Sequence, residues 1–210
     1  MIDRFIVPLQ ETVLAPVAQG LSARGVSADQ VTLTGFGAGV AGVVALAFGW
    51  YHLALVLILV NRIADGLDGA LARLRGPSDR GAFLDIACDF LFYALVPLGF
   101  ALADPGQNAL AAAVLIAAFV GTGSSFLAFA AIAAKRGMAA GDYPTKGIHY
   151  IGGLTEGAET IAVFVAMCLW PAAFPMLAYL FAALCLITTL TRWHMGWQAF
   201  TNTTETTERP

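Results

Sequence analysis

Long apolar blocks alternate with short polar interruptions along most of the chain. A helix needs about 20 mostly apolar residues to cross the hydrocarbon core of a bilayer. Six blocks have the required length, and we predict that each of them forms a membrane-spanning helix. Their bounds are 31–50, 51–73, 80–103, 108–134, 150–170 and 171–190.

The two ends of the chain differ from these blocks. Residues 1–25 place apolar side chains at roughly helical spacing beside charged ones, a pattern typical of an amphipathic helix in the membrane interface. Residues 201–210 are polar and low in complexity, which predicts a disordered tail. We therefore expect one all-α integral membrane domain over 1–200, with an interfacial helix over 1–25 and a six-helix bundle over 31–192.

Composition favours lipid as the solvent of this domain. Hydrophobic residues make up 59% of the 210 residues and charged residues 12%, and the mean hydropathy is +0.76. An average soluble domain has about 25% charged residues. The net charge is -3, and the sequence shows no cluster of basic residues like those that bind nucleic acid. We therefore expect no nucleic-acid partner. The three cysteines lie in apolar blocks and lack the spacing of a metal site.

The basic residues predict how the chain is oriented, because Lys and Arg collect in cytoplasmic segments of membrane proteins. With six spans and a cytoplasmic N-terminus, ten of the 11 Lys and Arg residues fall on the cytoplasmic side. None falls on the opposite side, and Arg62 lies within a span. We predict cytoplasmic termini, in the inner or plasma membrane if the protein is bacterial.

Four aspartates lie near the predicted cytoplasmic side on two helical faces. Asp65 and Asp68 are three residues apart in the second block, and Asp85 and Asp89 are four apart in the third. Both spacings place side chains on one face of a helix. The short link of residues 74–80 contains Gly76-Pro77. Such a link predicts an antiparallel helix hairpin in which the two rows of carboxylates face each other.

Carboxylates at this depth are costly unless cations neutralise them. Oxygen ligands favour hard divalent ions, Mg²⁺ or Mn²⁺, over zinc. Two such ions balance four negative charges, and they would also attract a pyrophosphate and activate a hydroxyl group. The sequence therefore predicts a centre with two divalent ions, beside which Gly69 and Gly81 leave room for a substrate.

These residues belong to a longer pattern, Dx2DGx2ARx7Gx3Dx3D, which starts at Asp65 and ends at Asp89. The pattern resembles the signature of the CDP-alcohol phosphotransferase (CDP-alcohol phosphatidyltransferase) family, and the predicted six-helix topology is similar to that family too. The chain departs from the family in two places. The link before Gly81 is one residue shorter than the commonest form, and Ala28-Asp29 stand where the family often has Pro-Asn before a threonine.

The resemblance implies roles for individual residues. Asp65, Asp68 and Asp85 would be metal ligands, and Asp89 would complete the shell of the second ion and act as the general base. A further set would line the nucleotide pocket, namely Gly69, Ala72, Arg73, Gly81 and Thr32.

The resemblance also implies a reaction, the metal-dependent transfer of a phosphatidyl group from CDP-diacylglycerol to a polar alcohol, with release of CMP on the cytoplasmic side. One alternative within the class is transfer of a phospho-aminoalcohol from a CDP-alcohol to diacylglycerol. An alternative from a different class is a cation transporter that uses the aspartate cluster. A third is a non-catalytic subunit that keeps the site for structure.

Charged residues in and around the link before the fifth block are candidates for binding the acceptor. Lys135, Arg136 and Lys146 would bind an anionic acceptor, or they would only anchor the loop at the membrane. Glu156, together with Glu159, would bond to a polyol acceptor or to the basic link.

Two further features have a structural and a functional interpretation. Arg62 lies three residues before Asp65, and we expect it to neutralise that carboxylate rather than to take part in catalysis. The small-residue run GTGSS at 121–125 predicts close helix packing, either inside the bundle or at a dimer interface. A homodimer is our expectation.

Overall fold

The computed structural model of the protein describes residues 3–138 and 154–201, with side chains from residue 13 onward. Within these ranges all regular structure is helical, which confirms the predicted all-α class. The helices are α1 (Asp3–Ala23), α2 (Ala28–Ala47), α3 (Tyr51–Arg75), α4 (Asp79–Ala103), α5 (Pro105–Lys135), α6 (Gly157–Leu169) and α7 (Phe174–Thr201). A 3₁₀ turn, Pro171–Ala173, precedes α7.

Four helical segments of the described chain are long and apolar enough to cross a membrane, namely α2, α4, α5 and the segment Pro171–Thr201. Helix α3 has 25 residues but carries five charged side chains between Arg62 and Arg75, and α6 has 13 residues. A helix of 13 residues is about 20 Å long, shorter than a hydrocarbon core of about 30 Å. The count of six spans and the interfacial position of α1 stay predictions.

The helix ends differ from the predicted bounds for local reasons. Helix α2 begins at Ala28 because Ser27 and Gln30 form a capping box, with the Ser27 N–H donating to the Gln30 side chain at 2.9 Å. Helix α7 continues to Thr201, so the bundle extends beyond 31–192 at both ends. Thr201 was predicted to begin the disordered tail and is helical instead, while 202–210 lie outside the described residues.

Aromatic rings fill the centre of the bundle, and large apolar side chains, both aliphatic and aromatic, cover its outside. Phe92, Phe100, Phe164 and Phe174 are fully buried, and the rings of Phe100 and Phe174 stack at 4.5 Å. On the outside, many large apolar side chains are more than half exposed, Leu110 by 70%. A soluble protein rarely exposes so much apolar surface, whereas lipid requires it.

Helix α2 packs closely against both α3 and α4, while α3 and α4 meet each other mainly through side chains such as Arg62 and Asp89. Two glycines of α2 allow this close approach. A Cβ atom added at Gly35 would lie 2.5 Å from the Cβ of Ala64, and one at Gly39 would lie 2.9 Å from the Phe92 ring. The prediction that the carboxylate rows of α3 and α4 face each other is confirmed, since Asp65, Asp68 and Asp85 meet across one crevice. Helix α2 also lines this crevice, which the sequence did not indicate.

Candidate functional site

Three of the four predicted metal ligands come together in the crevice between α3 and α4. One carboxylate oxygen each of Asp65, Asp68 and Asp85 lies within 4.8 Å of the other two. Asp68 is buried and the other two are half-buried. The i, i+3 spacing on α3 supplies two of these groups, and α4 supplies the third from the opposite wall.

The spacing of these oxygens fits a hard divalent ion. Ligand oxygens around one octahedral Mg²⁺ lie about 3 to 4.2 Å apart, since each is about 2.1 Å from the ion. Small side-chain rotations would therefore let the three carboxylates share a cation. The donor set is all oxygen and carries three negative charges, which suits Mg²⁺ or Mn²⁺ and not a metal that prefers sulfur or nitrogen.

Thr32 of α2 orients one of these carboxylates. Its hydroxyl donates to Oδ2 of Asp68, and the same hydroxyl oxygen lies 3.1 Å from the carbonyl oxygen of Ala28. Thr32 also lines the cavity beside the aspartates. The predicted nucleotide-pocket residue is thus placed where it can fix a metal ligand as well.

Asp89 lines the same crevice as the other three aspartates. It differs from them in accepting a short hydrogen bond from the guanidinium group of Arg62. Nη2 of Arg62 lies 2.7 Å from Oδ1 of Asp89, and Nη1 lies 3.6 Å from Oδ2 of Asp65. The expected pairing of Arg62 with Asp65 is therefore present, but the closer partner is Asp89. Sequence reasoning missed this contact, because residues 27 positions apart give no local signal of meeting.

A cavity of about 410 Å³ opens beside the aspartates, between α2, α3 and the start of α4. We call it the motif cavity. It is lined by every residue predicted for nucleotide binding, namely Thr32, Gly69, Ala72, Arg73 and Gly81. Asp68 and Asp85 line it too, so the motif cavity and the carboxylate group share a wall.

Other residues of the motif cavity were not singled out from the sequence. Asp29 and Arg80 form an ion pair with a distance of 2.5 Å between Oδ2 and Nη2. A Cβ atom added at Gly81 would lie 3.3 Å from Oδ1 of Asp29 and 3.1 Å from Oγ of Ser78. A side chain at position 81 would therefore crowd this edge. The departure from the family pattern at Asp29 was the available signal for its position here.

Of the residues predicted to bind the acceptor, those that the structure describes do not line the aspartate site. Lys135, Arg136 and Glu156 line neither the motif cavity nor the aspartate crevice, and Lys146 lies outside the described residues. Arg136 donates to the carbonyl of Phe200 at 2.9 Å. The backbone N–H of Glu156 donates to the Glu159 side chain at 3.3 Å, as part of the cap of α6.

The small-residue run at 121–125 packs inside the bundle. A Cβ atom added at Gly121 would lie 3.2 Å from Oγ1 of Thr189 on α7, and one at Gly123 would overlap the Phe90 ring of α4. Internal packing therefore accounts for these two glycines, and the homodimer stays a prediction.

Comparison of the chain with known proteins shows the family to which it belongs. The family model described as CDP-alcohol phosphatidyltransferase matches residues 26–200. The inner membrane protein YnjF of Escherichia coli K12 is 54% identical over 197 residues, which cover 94% of this chain and 96% of that protein.

The fold is also similar to solved structures of the phosphatidylinositol phosphate synthase PgsA1 of Mycobacterium tuberculosis. The structure in complex with manganese and citrate has a TM-score of 0.72 and 25% identity, and the match covers 90% of each chain. The structure with CDP-DAG bound has a TM-score of 0.67 and 26% identity, and the match covers 90% of this chain and 96% of that one.

Proposed function

The chain belongs to the CDP-alcohol phosphatidyltransferase family and is a membrane transferase of phospholipid biosynthesis that uses a divalent metal; on that premise, we propose that it moves the phosphatidyl group of CDP-diacylglycerol to a polar alcohol and releases CMP. The observation that carries this proposal is the wall shared by the three-carboxylate group and the motif cavity. The shared wall would let a nucleotide in the cavity present its pyrophosphate to the aspartates.

Asp65, Asp68 and Asp85 are the proposed ligands of the divalent ions, with Asp89 beside them. Bound Mg²⁺ or Mn²⁺ would supply Lewis-acid stabilisation of the charge that develops on the transferred phosphoryl group and on the leaving group. Thr32 keeps Asp68 turned toward the crevice through its hydroxyl hydrogen bond.

The motif cavity is the proposed place of the cytidine nucleotide. Its glycines, Gly69 and Gly81, have no side chain to fill the space beside the aspartates. Arg73 supplies positive charge to the lining and suits a phosphate, because guanidinium groups bind phosphates through two donors. The similarity to a structure with CDP-DAG bound supports this placement.

Asp89 is the proposed general base. In the reaction, the acceptor oxygen forms a bond to the phosphorus nearer the diacylglycerol and transfers its proton to Asp89. The bond between that phosphorus and the bridging oxygen breaks, and the bridging oxygen leaves with CMP. Atoms and charge balance without any further reactant.

Two alternatives have less support. Transfer of a phospho-aminoalcohol from a soluble CDP-alcohol would use the same carboxylates, but the similar solved structure contains the CDP-lipid. A cation transporter would not need the motif cavity next to the aspartates. We also propose that the site faces the cytoplasm, because ten of the 11 basic residues fall on that side if six helices span the membrane.

The acceptor is to be identified by experiment. Four alcohols are the candidates to test: inositol phosphate, glycerol phosphate, serine and inositol. Inositol phosphate comes first because the similar solved structures are of a phosphatidylinositol phosphate synthase. Lys135, Arg136 and Lys146 stay candidates for an anionic acceptor and Glu156 for a polyol, although the three of them that the structure describes line neither the motif cavity nor the crevice.

The proposal is tested with purified full-length protein in lipid nanodiscs, labelled CDP-diacylglycerol, Mn²⁺ and each acceptor in turn. We expect CMP release and a labelled lipid product with one acceptor, and loss of both on chelation of the metal. CMP release that requires a CDP-alcohol and diacylglycerol would favour the first alternative. No release under any combination would contradict the proposed function.

A further inference from the structure

Arg62 is held by partners on every side of its guanidinium group, and its side chain is only 13% exposed. Nε donates to Oδ1 of Asn61 at 2.8 Å, and Nη1 lies 3.3 Å from the hydroxyl oxygen of Tyr93. Nη2 donates to Oδ1 of Asp89 at 2.7 Å. The guanidinium carbon also lies 5.0 Å from the centre of the Phe92 ring, a cation–π contact.

The groups that hold Arg62 are themselves fixed by the fold. Asn61 is 4% exposed, and its amide donates to the carbonyl of Gly35 on α2 at 3.0 Å. Phe92 is fully buried in the aromatic core. The guanidinium plane is therefore set by α2 and α4 before any substrate binds, and a planar fork with fixed donors is what lysine cannot provide.

This arrangement divides the four aspartates into two sets. Asp65, Asp68 and Asp85 form the close group of oxygens, while Asp89 accepts a hydrogen bond at 2.7 Å from Arg62, whose distance to Asp65 is 3.6 Å. Without Arg62, Asp89 would be a fourth mobile carboxylate beside divalent ions, and the attraction between opposite charges would draw it to them.

We propose that Arg62 is a positioning residue that holds Oδ1 of Asp89 and so keeps this carboxylate available as a base instead of letting it become a full ligand of the divalent ions. The inference rests on the proposed function, since it takes Asp89 to be the base. It also separates two roles that the family resemblance assigns to Asp89 together. Oδ2 of Asp89 is then the oxygen left to accept the proton of the acceptor.

The first test measures Mn²⁺ binding by electron paramagnetic resonance, with the full-length protein in nanodiscs and no substrate. In the Arg62→Gln variant, Asp89 is released and one positive charge is lost, so Mn²⁺ should bind about tenfold more tightly. In the same variant, kcat for CMP release should fall about 10- to 100-fold, the usual effect of losing a group that orients a reacting side chain. Misfolding cannot produce tighter metal binding together with slower turnover.

Two matched variants sharpen the test. Arg62→Lys keeps the charge but lacks the fork, so Asp89 is released without a loss of charge: kcat should be low, and Mn²⁺ affinity should still rise, but by less than in Arg62→Gln. Arg24→Gln removes a positive charge at the exposed Arg24, just after α1, and should change neither quantity.

A double mutant separates positioning from a simple effect of charge. If Arg62 acts through Asp89, the gain in Mn²⁺ affinity from Arg62→Gln should shrink to about threefold or less when Asp89→Asn is also present. An equal gain with and without Asp89→Asn would contradict the proposal, and so would weaker Mn²⁺ binding by Arg62→Gln.

The failure of this inference can be told apart from a failure of the proposed function. If the unmodified protein releases no CMP with any acceptor, the proposed function fails, and the Mn²⁺ titrations still decide whether Arg62 restrains Asp89. If CMP release is robust but Arg62→Gln changes neither Mn²⁺ affinity nor kcat, only the inference fails.

Discussion

Two openings in the bundle differ in the chemistry of the side chains that line them. The motif cavity has a volume of about 410 Å³, and a groove between α5 and α7 has a volume of about 730 Å³. We call the second the α5–α7 groove. Asp29, Asp68 and Asp85 line the motif cavity. The described residues that line the α5–α7 groove are apolar, small or hydroxyl-bearing apart from Arg192, and none of them has a carboxylate. The larger opening therefore lacks the groups that metal-dependent phosphoryl transfer needs.

Two arginines show a related difference: Arg62 lines the aspartate crevice next to the motif cavity, and Arg192 lines the α5–α7 groove. Arg62 lies over the Phe92 ring and Arg192 over the Phe126 ring, at 5.0 and 5.7 Å. Arg62 donates to Asp89 in the aspartate crevice, whereas Arg192 donates to the backbone carbonyl of Thr122 at 3.0 Å and has Glu156, which does not line that crevice, as an acidic neighbour. Similar packing thus places one guanidinium group beside the proposed chemistry and the other against the backbone of α5.

The largest expected effect is in the carboxylate group. Asp85→Asn keeps the shape of the side chain but removes one negative charge from the three-oxygen set, so we expect CMP release to fall about 1,000-fold or more. Asp79→Asn is the matched control, since Asp79 is exposed on the first turn of the same helix and should leave the rate within about twofold. A loss below tenfold for Asp85→Asn would remove it from the proposed ligands.

The next effect is expected where α2 touches α3. Gly35→Ala places a Cβ atom 2.5 Å from that of Ala64, the residue before Asp65. Overpacking of this kind costs about 1–3 kcal/mol, so we expect a lower Tm in detergent and a reduced kcat. Gly37→Ala is the control on the same helix, because a Cβ atom there meets no atom within 4 Å. Equal Tm values for the two variants would mean that this contact does not hold the crevice together.

A smaller effect is expected at the edge of the motif cavity, where Asp29 pairs with Arg80. Exposed ion pairs contribute about 0.2–1 kcal/mol, so changes of up to about fivefold are expected. Asp29→Asn frees the guanidinium group for the substrate pyrophosphate and should lower KM for CDP-diacylglycerol, while Arg80→Gln should raise it. Both are measured as initial rates of CMP release. A change of KM in the same direction for both variants would rule out this role for the pair.

The smallest effect is expected in the α5–α7 groove. Trp197 is 78% exposed on its wall, and Trp197→Ala should change kcat/KM for CMP release by less than about twofold. A loss above tenfold in this assay would bring the groove into the reaction and end the contrast between the two openings.

Local sequence signals predicted much of the site. Helical spacing predicted that Asp65 and Asp68 share one face of a helix and that Gly69 and Gly81 lie beside the aspartates. In the structure Asp65 and Asp68 line the crevice, and Gly69 and Gly81 line the motif cavity next to it. Such spacing depends only on residues within one helix, and a helix imposes its periodicity regardless of its neighbours.

Tertiary features were not predictable in this way. The apolar pattern of 31–50 marked a span, but it did not indicate that Gly35 and Gly39 would let this helix pack against both α3 and α4. The spacing of Arg62 and Asp65 indicated a pair on one helix, whereas the closer partner comes from α4. Glu156 and Glu159 suggested a binding site, and their spacing is also that of a helix cap. In each case the deciding contact lies between helices, or the local pattern has two meanings.

The central claim is that Asp65, Asp68 and Asp85 share a divalent ion, and crystals of the protein grown with Mn²⁺ test it most directly. An anomalous difference map recorded at the manganese absorption edge should show a peak about 2 Å from a carboxylate oxygen of each of these aspartates. Manganese bound elsewhere, or carboxylates that remain too far apart to share one ion when Mn²⁺ is saturating, would contradict the account.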